Sequence, residues 1–434
     1  MGKTVGLKGE ELDFCRKSFS EYFRKNPIET PPELERREFA FSLFDAGAGA
    51  APFLRHRSLK TRDALEVELV SLVPRHVYYS TSLYRSPSNP SMKEKGWEGA
   101  DIAFDLDADH LNEAATMSYP EQLELARKRF AYLVDEYLMG DFGLTESDFS
   151  IAFSGGRGYH AHVHAPAFQR LTGGERRELV DYIMGIGFDP ETDSFGHDYA
   201  PRAEGGRGGG RQYLRLFPSG EPGWRGRMSR GIQKWLEERK TLNEEELAQE
   251  VMKLLERYET PSDSEGAQVQ GKSRSNPKPS RRAKRIAMDL VRPETQKAIL
   301  ERQTLESFPH DRTGENRKEL LGALARALSV PLQGEMDAPV TTDIHRLIRM
   351  PGSLHGGTGF IVKTLSRKDL DSFNPFADAL VPDTARPVKV RLSREADYPF
   401  KDTPLKGHEG EVLSAPAPQA LFLLLRGEAT MEIG

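Results

Sequence analysis

Between residues 99 and 164 apolar and polar positions alternate with a period of two, broken once by a helical stretch. In GADIAFDLDADH (Gly99–His110), Ile102, Phe104 and Leu106 alternate with Ala103, Asp105 and Asp107. Side chains of a strand point to opposite faces in turn, so this pattern predicts one face in a core and one carrying carboxylates. Glu121–Glu136 follows as an amphipathic helix, and DFSIAFSGGRGYHAHVH (Asp148–His164) reads as strand, glycine turn, strand. Upstream, Leu12, Cys15, Phe19 and Phe23 predict a helix over 9–26, broken by Pro27–Pro32. REFAF (Arg37–Phe41) predicts a short strand, Thr61–Leu72 a helix ended by Pro74, and HVYYS (His76–Ser80) a strand. Glu175–Met184, Thr241–Tyr258 and Glu315–Leu328 read as helices, Gly359–Thr364 as a strand, and the terminal ALFLLLRGEA as an apolar helix or strand. No internal repeat is visible.

The 434 residues exceed the ~250 at which a single core stops growing, so more than one compact unit is expected. Composition shifts near Ala203, where a Gly- and Arg-rich segment leads into a charged helix and then a Ser/Pro/Lys-rich linker. This places an inserted, mostly helical subdomain and basic linker at 205–285. Two parts of a catalytic domain, 1–204 and 286–400, would flank it, with a C-terminal segment at 401–434.

Net charge is −5, which gives no global pull towards a polyanion. Locally, GKSRSNPKPSRRAKR (Gly271–Arg285) is basic without an acid, either a solvated linker or a grip on phosphates. The single cysteine, Cys15, excludes a disulfide within the chain and any Cys-based zinc site. MGKTVGLKGEELDF lacks a signal peptide's apolar core and no run of about 18 apolar residues occurs, so a cytoplasmic protein with no membrane association is expected.

Three segments carry candidate chemistry. Asp105, Asp107 and Asp109 occupy the first liganding positions of an EF-hand loop, but His110 stands where glycine is needed and Thr116 where glutamate is. A solvated strand end or a hard-cation site of the phosphoryl-transfer kind remains. In FSGGRGYHAHVH, glycines let the backbone approach an anion, while Ser154, Arg157 and His160 supply donors. The final Gly-Lys-Ser/Thr of a P-loop is absent. His160, His162 and His164 alternate and could instead bind zinc, as in a hydrolase, or be incidental to a hairpin. DAPVTTDIHRLIRMPGSLHGGTG (Asp337–Gly359) combines Asp337 and Asp343 with Arg346, Arg349 and His355. Together the acids, the glycine turn and the basic cluster make a parts list for nucleotidyl transfer.

GADIAFDLDADH, FSGGRGYHAHV and RLIRMPGSLHG closely resemble the signature segments of the small, catalytic subunit of archaeal and eukaryotic replicative DNA primases, the archaeal form being nearer. REFAF, Leu54–His56, VYYSTSLY and DYIMG support it, in the family's order from about residue 37 to 364. The resemblance implies an α/β primase-type fold, a mixed sheet flanked by helices. It implies synthesis of short RNA or DNA primers on single-stranded DNA from nucleoside triphosphates, with a primase large subunit as heterodimer partner and work at the nucleoid. Asp105 and Asp107 match the paired metal-binding aspartates and Asp337 the third, holding two Mg²⁺ or Mn²⁺ ions; Asp343 is the weaker match. Ser154, Arg157 and His160 match residues that hold the incoming triphosphate, and Arg349 and His355 match basic positions opposite them. Glu38 and Arg55 fall in segments associated with the primer-side nucleotide.

Two departures stand out. Leu111–Arg127, where relatives often carry a zinc knuckle, contains no cysteine, so no structural zinc is expected and a helix or packed loop must replace it. Gly357 stands where archaeal relatives commonly have lysine, so one phosphate contact is missing or supplied by another cation. A repair or plasmid primase-polymerase of the same superfamily, or an inactive nucleic-acid-binding subunit, are the alternatives.

Overall fold

The computed structural model describes residues 7, 9–44, 52–200, 211–258, 279–311, 313–332, 336–382 and 387–432. The chain divides into two compact units, Met1–Val180 with Glu335–Gly434, and Asp181–Gly334.

The first unit holds the three signature segments on two four-stranded antiparallel sheets. One has the order Leu347–Arg349, His76–Ser80, Phe39–Ser42, Phe53–Arg57. The other has the order Lys363–Leu365, Phe149–Phe153, Gly158–Val163, Ile102–Asp107. The expected α/β class is present, with the described strands dealt into several antiparallel sheets rather than one mixed sheet. Alternation is kept where it was read: Ile102, Phe104 and Leu106 are buried, while Asp105 and Asp107 keep partial access to solvent.

Helix Glu10–Lys25 buries Cys15, Phe19 and Phe23 of the predicted stripe together with Tyr22, while Leu12 is only partly buried against the same core. Its core is shared with Val77, Tyr79, Ala103, Val340, Ile348 and Met350. Leu421, Leu424 and Leu425 of helix Ala417–Arg426 join the same core, which resolves the apolar C-terminal stretch as a helix. Gly427 ends it in a left-handed conformation. Tyr119–Tyr132 begins at a Ser118–Glu121 capping box and continues as a π-helical stretch, Leu133–Asp141. Two strand expectations shift. Arg37 and Glu38 precede their strand rather than belonging to it, the Glu38 N–H donating to the Ser80 hydroxyl instead of a ladder carbonyl. Gly359 lies in a turn with φ of 73°, so the last strand begins only at Lys363.

Where a zinc knuckle was absent from the sequence, the 3₁₀ turn Asn112–Thr116 packs by Leu111 and Ala114. Gln122 Nε2 donates to the carbonyls of Ala114 and Met117, at 3.1 Å each, and ties the turn to the next helix.

The second unit pairs Phe195–Ala200 with Arg211–Leu216 and packs helices Gly223–Glu237, Glu244–Tyr258, Arg281–Leu290 and Glu315–Leu332 around Met228, Ile232, Val251, Ile286 and Leu324. It is wider at both ends than the 205–285 segment marked by composition. Composition tracks charge and glycine, whereas this core recruits apolar residues from Phe195 to Leu324. The basic run does not stay a linker to Arg285: Ser280 caps a helix from Arg281 that buries Ala283, Ile286, Ala287 and Leu290. Residues 201–210 and 259–278 of the glycine-rich segment and linker lie outside the described residues. No described helix is long and apolar enough to cross a membrane.

Candidate active site

The acid strand and the strand after the glycine turn are neighbours. Asp105 lies directly opposite His160, Ala103 opposite His162, and Asp107 opposite Gly158. Cross-strand partners project from the same face, so both carboxylates and both imidazoles share it. Tyr159 takes the other face, among Phe130, Phe153 and Phe373.

Asp337 comes from more than 200 residues away to the same strand. Its backbone N–H donates to the Asp105 carbonyl at 2.8 Å, and Thr341 Oγ1 donates to the Ala103 carbonyl at 2.9 Å. Asp343 instead accepts from the His345 N–H at 2.8 Å, stabilising its own turn. Burial, then the charge of Asp107, pushes the Asp105 carboxyl up to about 6; Asp337 adds to the rise, and Arg349 and Arg346 oppose it. Carboxylates that disfavour one another in this way are relieved by a hard cation with oxygen ligands. Among the described residues, no three His, Cys, Asp or Glu side chains form a ready-made cage. The aspartates therefore fit a cation by shared strand and mutual repulsion, not by a closed ligand set.

The glycine turn is built around Ser154. Its Oγ accepts from the N–H groups of Gly156 and Gly158, both at 3.2 Å, and its own N–H donates to the Gly158 carbonyl at 2.9 Å. This hydroxyl thus shapes the turn from inside. Gly155 has φ of 74°, a conformation other residues adopt with strain. It also leaves no room for a side chain, since an added Cβ would stand 2.6 Å from His355 Cβ. The PGSLHGG turn is thereby pressed onto the SGGRG turn. Thr358 Oγ1 donates to the Gly155 carbonyl at 2.5 Å and lies 3.1 Å from His355 Nδ1.

Arg349 Nη1 donates to the Ser154 carbonyl at 3.1 Å, and the guanidinium lies over the Tyr78 ring. Arg157 pairs with Asp109, which accounts for the third acid of the opening motif. His160, His162 and His355 are held neutral, burial pulling each imidazole down, His160 to about 3. Two buried donors on this face have no partner among the described residues: His160 Nε2 and Arg349 Nε. The zinc arrangement is not formed. His160 Nδ1 and His162 Nε2 lie 3.0 Å apart and hydrogen-bond each other, while His164 Nε2 faces the Ser147 carbonyl at 3.0 Å.

Glu38 and Arg55 are brought together, with Arg55 Nε 3.0 Å from Glu38 Oε1. Lys95, fully buried, donates to Glu38 Oε2 at 2.6 Å. Burial alone would raise the Glu38 carboxyl, but the hydrogen bonds from Lys95 and Arg55 bring it below its usual range. Sequence reasoning missed Lys95, which sits in an ordinary polar loop sequence, SMKEKGW. It also missed Arg75, whose Nε donates to the Gly356 carbonyl at 2.7 Å, beside the Gly357 that departs from the relatives' lysine. Neither has a sequence signal, because each acts through a partner distant in the chain.

With this geometry established, comparison with known proteins is decisive. Residues 104–366 match the family described as DNA primase small subunit. The chain belongs to that family. It is 35% identical to the DNA primase small subunit PriS of Methanocella arvoryzae over 96% of this chain and 98% of that protein. It is 36% identical to the PriS of Methanothrix thermoacetophila over 99% and 100%. The PriS of Halorubrum lacusprofundi is 30% identical over 96% and 97%. The acid strand and the strand after the glycine turn lie side by side in one sheet, and Arg349 reaches them from the edge strand of the other.

Proposed function

We propose that this chain is the catalytic subunit of a DNA primase, building short RNA or DNA primers on single-stranded DNA from nucleoside triphosphates. In this reaction the 3′ oxygen of one nucleotide bonds to the α-phosphorus of the next, and pyrophosphate leaves. The observation that carries the reading is the meeting of unlike needs on one face. Asp105, raised by burial and by its acidic neighbours, lies opposite His160, whose Nε2 has no partner among the described residues; nor has the Nε of Arg349, which is held against the adjoining turn. The acids call for cations and the donors for an anion, and a metal-bound triphosphate supplies both.

Asp105, Asp107 and Asp337 would hold two Mg²⁺ or Mn²⁺ ions. Bound there, such ions supply charge stabilisation at the attacking and leaving oxygens. The chain's own residues do the rest. Arg349, His160, His355 and Arg157 hold the phosphates and offset charge developing on them, and Ser154 shapes from inside the turn that carries Arg157. Donors fixed before the reaction need no reorganisation during it. Glu38 and Arg55, locked by Lys95, would orient the primer-side nucleotide. Relatives named as small subunits point to a large-subunit partner, so the working form is a heterodimer acting on nucleoid DNA.

The test is primer synthesis on single-stranded DNA with labelled nucleotides and Mg²⁺ or Mn²⁺, with and without the large subunit. Wild type makes short products and Asp107→Ala makes none. No product from wild type under any of these conditions would reduce the chain to a binding role.

A further inference from the structure

His160 is not alone on its strand face. Its Nδ1 lies 3.0 Å from His162 Nε2, and His162 Nδ1 lies 2.9 Å from the hydroxyl of Tyr79. Tyr79 belongs to the other four-stranded sheet, so the chain of three polar side chains crosses between sheets inside the core. All three are buried: Tyr79 is 4% exposed, His160 2% and His162 3%. Nothing in the triphosphate reading uses Tyr79 or His162, yet buried polar groups on this scale need a reason.

The direction of the hydrogen bonds can be worked out from what each group can do. A phenol has one proton to donate, and a buried donor left without an acceptor costs about 1–3 kcal/mol. Burial keeps the Tyr79 hydroxyl protonated, raising it far above its ordinary range. Its only partner among the described residues is His162 Nδ1, so Tyr79 donates there. The neutral His162 then carries its proton on Nε2 and donates it to His160 Nδ1. His160, neutral in turn, must carry its own proton on Nε2. That is the buried atom with no partner among the described residues. The opposite polarity would leave the Tyr79 proton buried and unmatched, and would turn a bare lone pair of His160 towards the site.

We infer that Tyr79 and His162 are positioning residues that lock His160 as the Nε2–H tautomer, so that it offers a neutral, pre-aimed N–H donor to a phosphate of the incoming nucleotide. This deepens the primase reading and rests on it for the identity of the anion. The rings of Tyr79 and His162 are also stacked nearly parallel, at 19° with centroids 5.6 Å apart, so packing as well as the hydrogen bond holds the pair together. Arg37 lies over the Tyr79 ring and is itself held by Asp101, fixing the far end of the relay.

The experiment uses the full-length chain labelled with ¹⁵N-histidine, whose ring nitrogen shifts separate the two neutral tautomers. His160 and His162 are assigned by His160→Gln and His162→Gln. In wild type both rings are expected as Nε2–H, and addition of ATP with Mg²⁺, without template, moves the His160 Nε2–H signal. Tyr79→Phe removes only the donor at the head of the relay. It is expected to bring a second tautomer of His160 to a comparable population. The KM for the incoming nucleotide then rises about two- to threefold with kcat unchanged, because only the competent tautomer binds.

An Nδ1–H His160 in wild type overturns the inference, as does a single unchanged tautomer in Tyr79→Phe. An Nε2–H His160 that ATP does not move overturns the phosphate role. Primer synthesis by the same wild-type sample reports separately on the primase reading: product formed alongside an Nδ1–H His160 sinks the relay alone.

Discussion

Replacing Gly158 with alanine is the smallest change that reaches both halves of the site without removing a functional group. Gly158 lies opposite Asp107 across the strand pair, and both its N–H and its carbonyl are bonded to Ser154. A Cβ built there would stand 2.8 Å from Asp107 Cα and nearer still to the Leu106 carbonyl oxygen. Both obstacles are backbone, so no side chain can swing aside. Non-bonded heavy atoms rest at ~3.5 Å, so the Leu106 oxygen, at 2.3 Å, forces the acid strand and the turn to part by about 1 Å. Overpacking of this kind costs about 1–3 kcal/mol of stability. The displacement falls between Asp107 and the triphosphate turn, and misplacing reacting groups by about 1 Å costs on the order of 10²-fold in rate. Gly158→Ala is therefore expected to stay folded, with a Tm lowered by several degrees, and to lose about a hundredfold in primer extension. Urea unfolding and extension of a pre-annealed primer measure the two effects side by side. Full activity at an unchanged Tm would refute the argument that the register at Asp107 positions the site.

Three other outcomes follow from the charges. The Asp105 carboxyl, raised from 3.8 to about 6 in the fold, favours the folded state while protonated. Its contribution is complete below about pH 4 and is lost as pH rises through 6, on the order of 3 kcal/mol for a shift of this size. In EDTA, Asp105→Asn should therefore be the more stable protein above pH 6 and gain nothing below pH 4. Mg²⁺ at neutral pH should raise the Tm of wild type but not of the variant, and parallel melting curves at every pH would contradict this. Arg349→Lys keeps the charge but loses the fork that grips Ser154 and frees Nε, so kcat/KM should fall by about 10²-fold with stability little changed; wild-type kinetics would rule out Arg349 as a phosphate ligand. Lys95→Met leaves Glu38 buried with only Arg55 and His56 nearby, and should cost about 3 kcal/mol in urea unfolding. Adding Glu38→Gln to that variant should recover most of the loss, and an additive further loss would show that the pair is not coupled.

What could be read from the chain was what is local in it. Alternation placed Asp105 and Asp107 on one face, because strand geometry ties facing to residue parity with no knowledge of the rest of the fold. The SGGRG turn was legible as a turn, but its glycines were tied to anion approach, whereas Gly155 and Gly158 are required by the packing of His355 and of the Leu106–Asp107 backbone against them. The stripe of helix Glu10–Lys25 was equally plain. The partnerships were illegible because they join positions remote in the chain. Lys95 meets Glu38 from 57 residues away, Arg75 meets Gly356 from 281, and Tyr79 meets His162 across two sheets. The basic run misled because charge density says nothing of the opposite face of a helix, where Ala283, Ile286 and Leu290 pack.

The site and the fold also make opposite demands on the same strand. Asp105 is held close to other acids, and of the three buried neutral histidines His160 keeps an unpartnered Nε2 among the described residues, so the carboxyl and this nitrogen are the groups left wanting ligands. An arrangement that opposes folding must be held by contacts elsewhere, and these surround the site on every side. Asp337 and Thr341 are pinned to the acid strand through their own hydrogen bonds, and the two glycine turns interlock through Thr358. The shared core of the N- and C-terminal helices lies behind them. On the proposed reading cations would relieve the acids and phosphates would satisfy the orphaned donors, so each should bind more tightly when the other is present. That coupling has a consequence for catalysis. A primase must take up each nucleotide as its metal complex and release pyrophosphate after every step. On the proposed reading, a face that carries both acids and donors would bind the metal complex of the triphosphate as a unit.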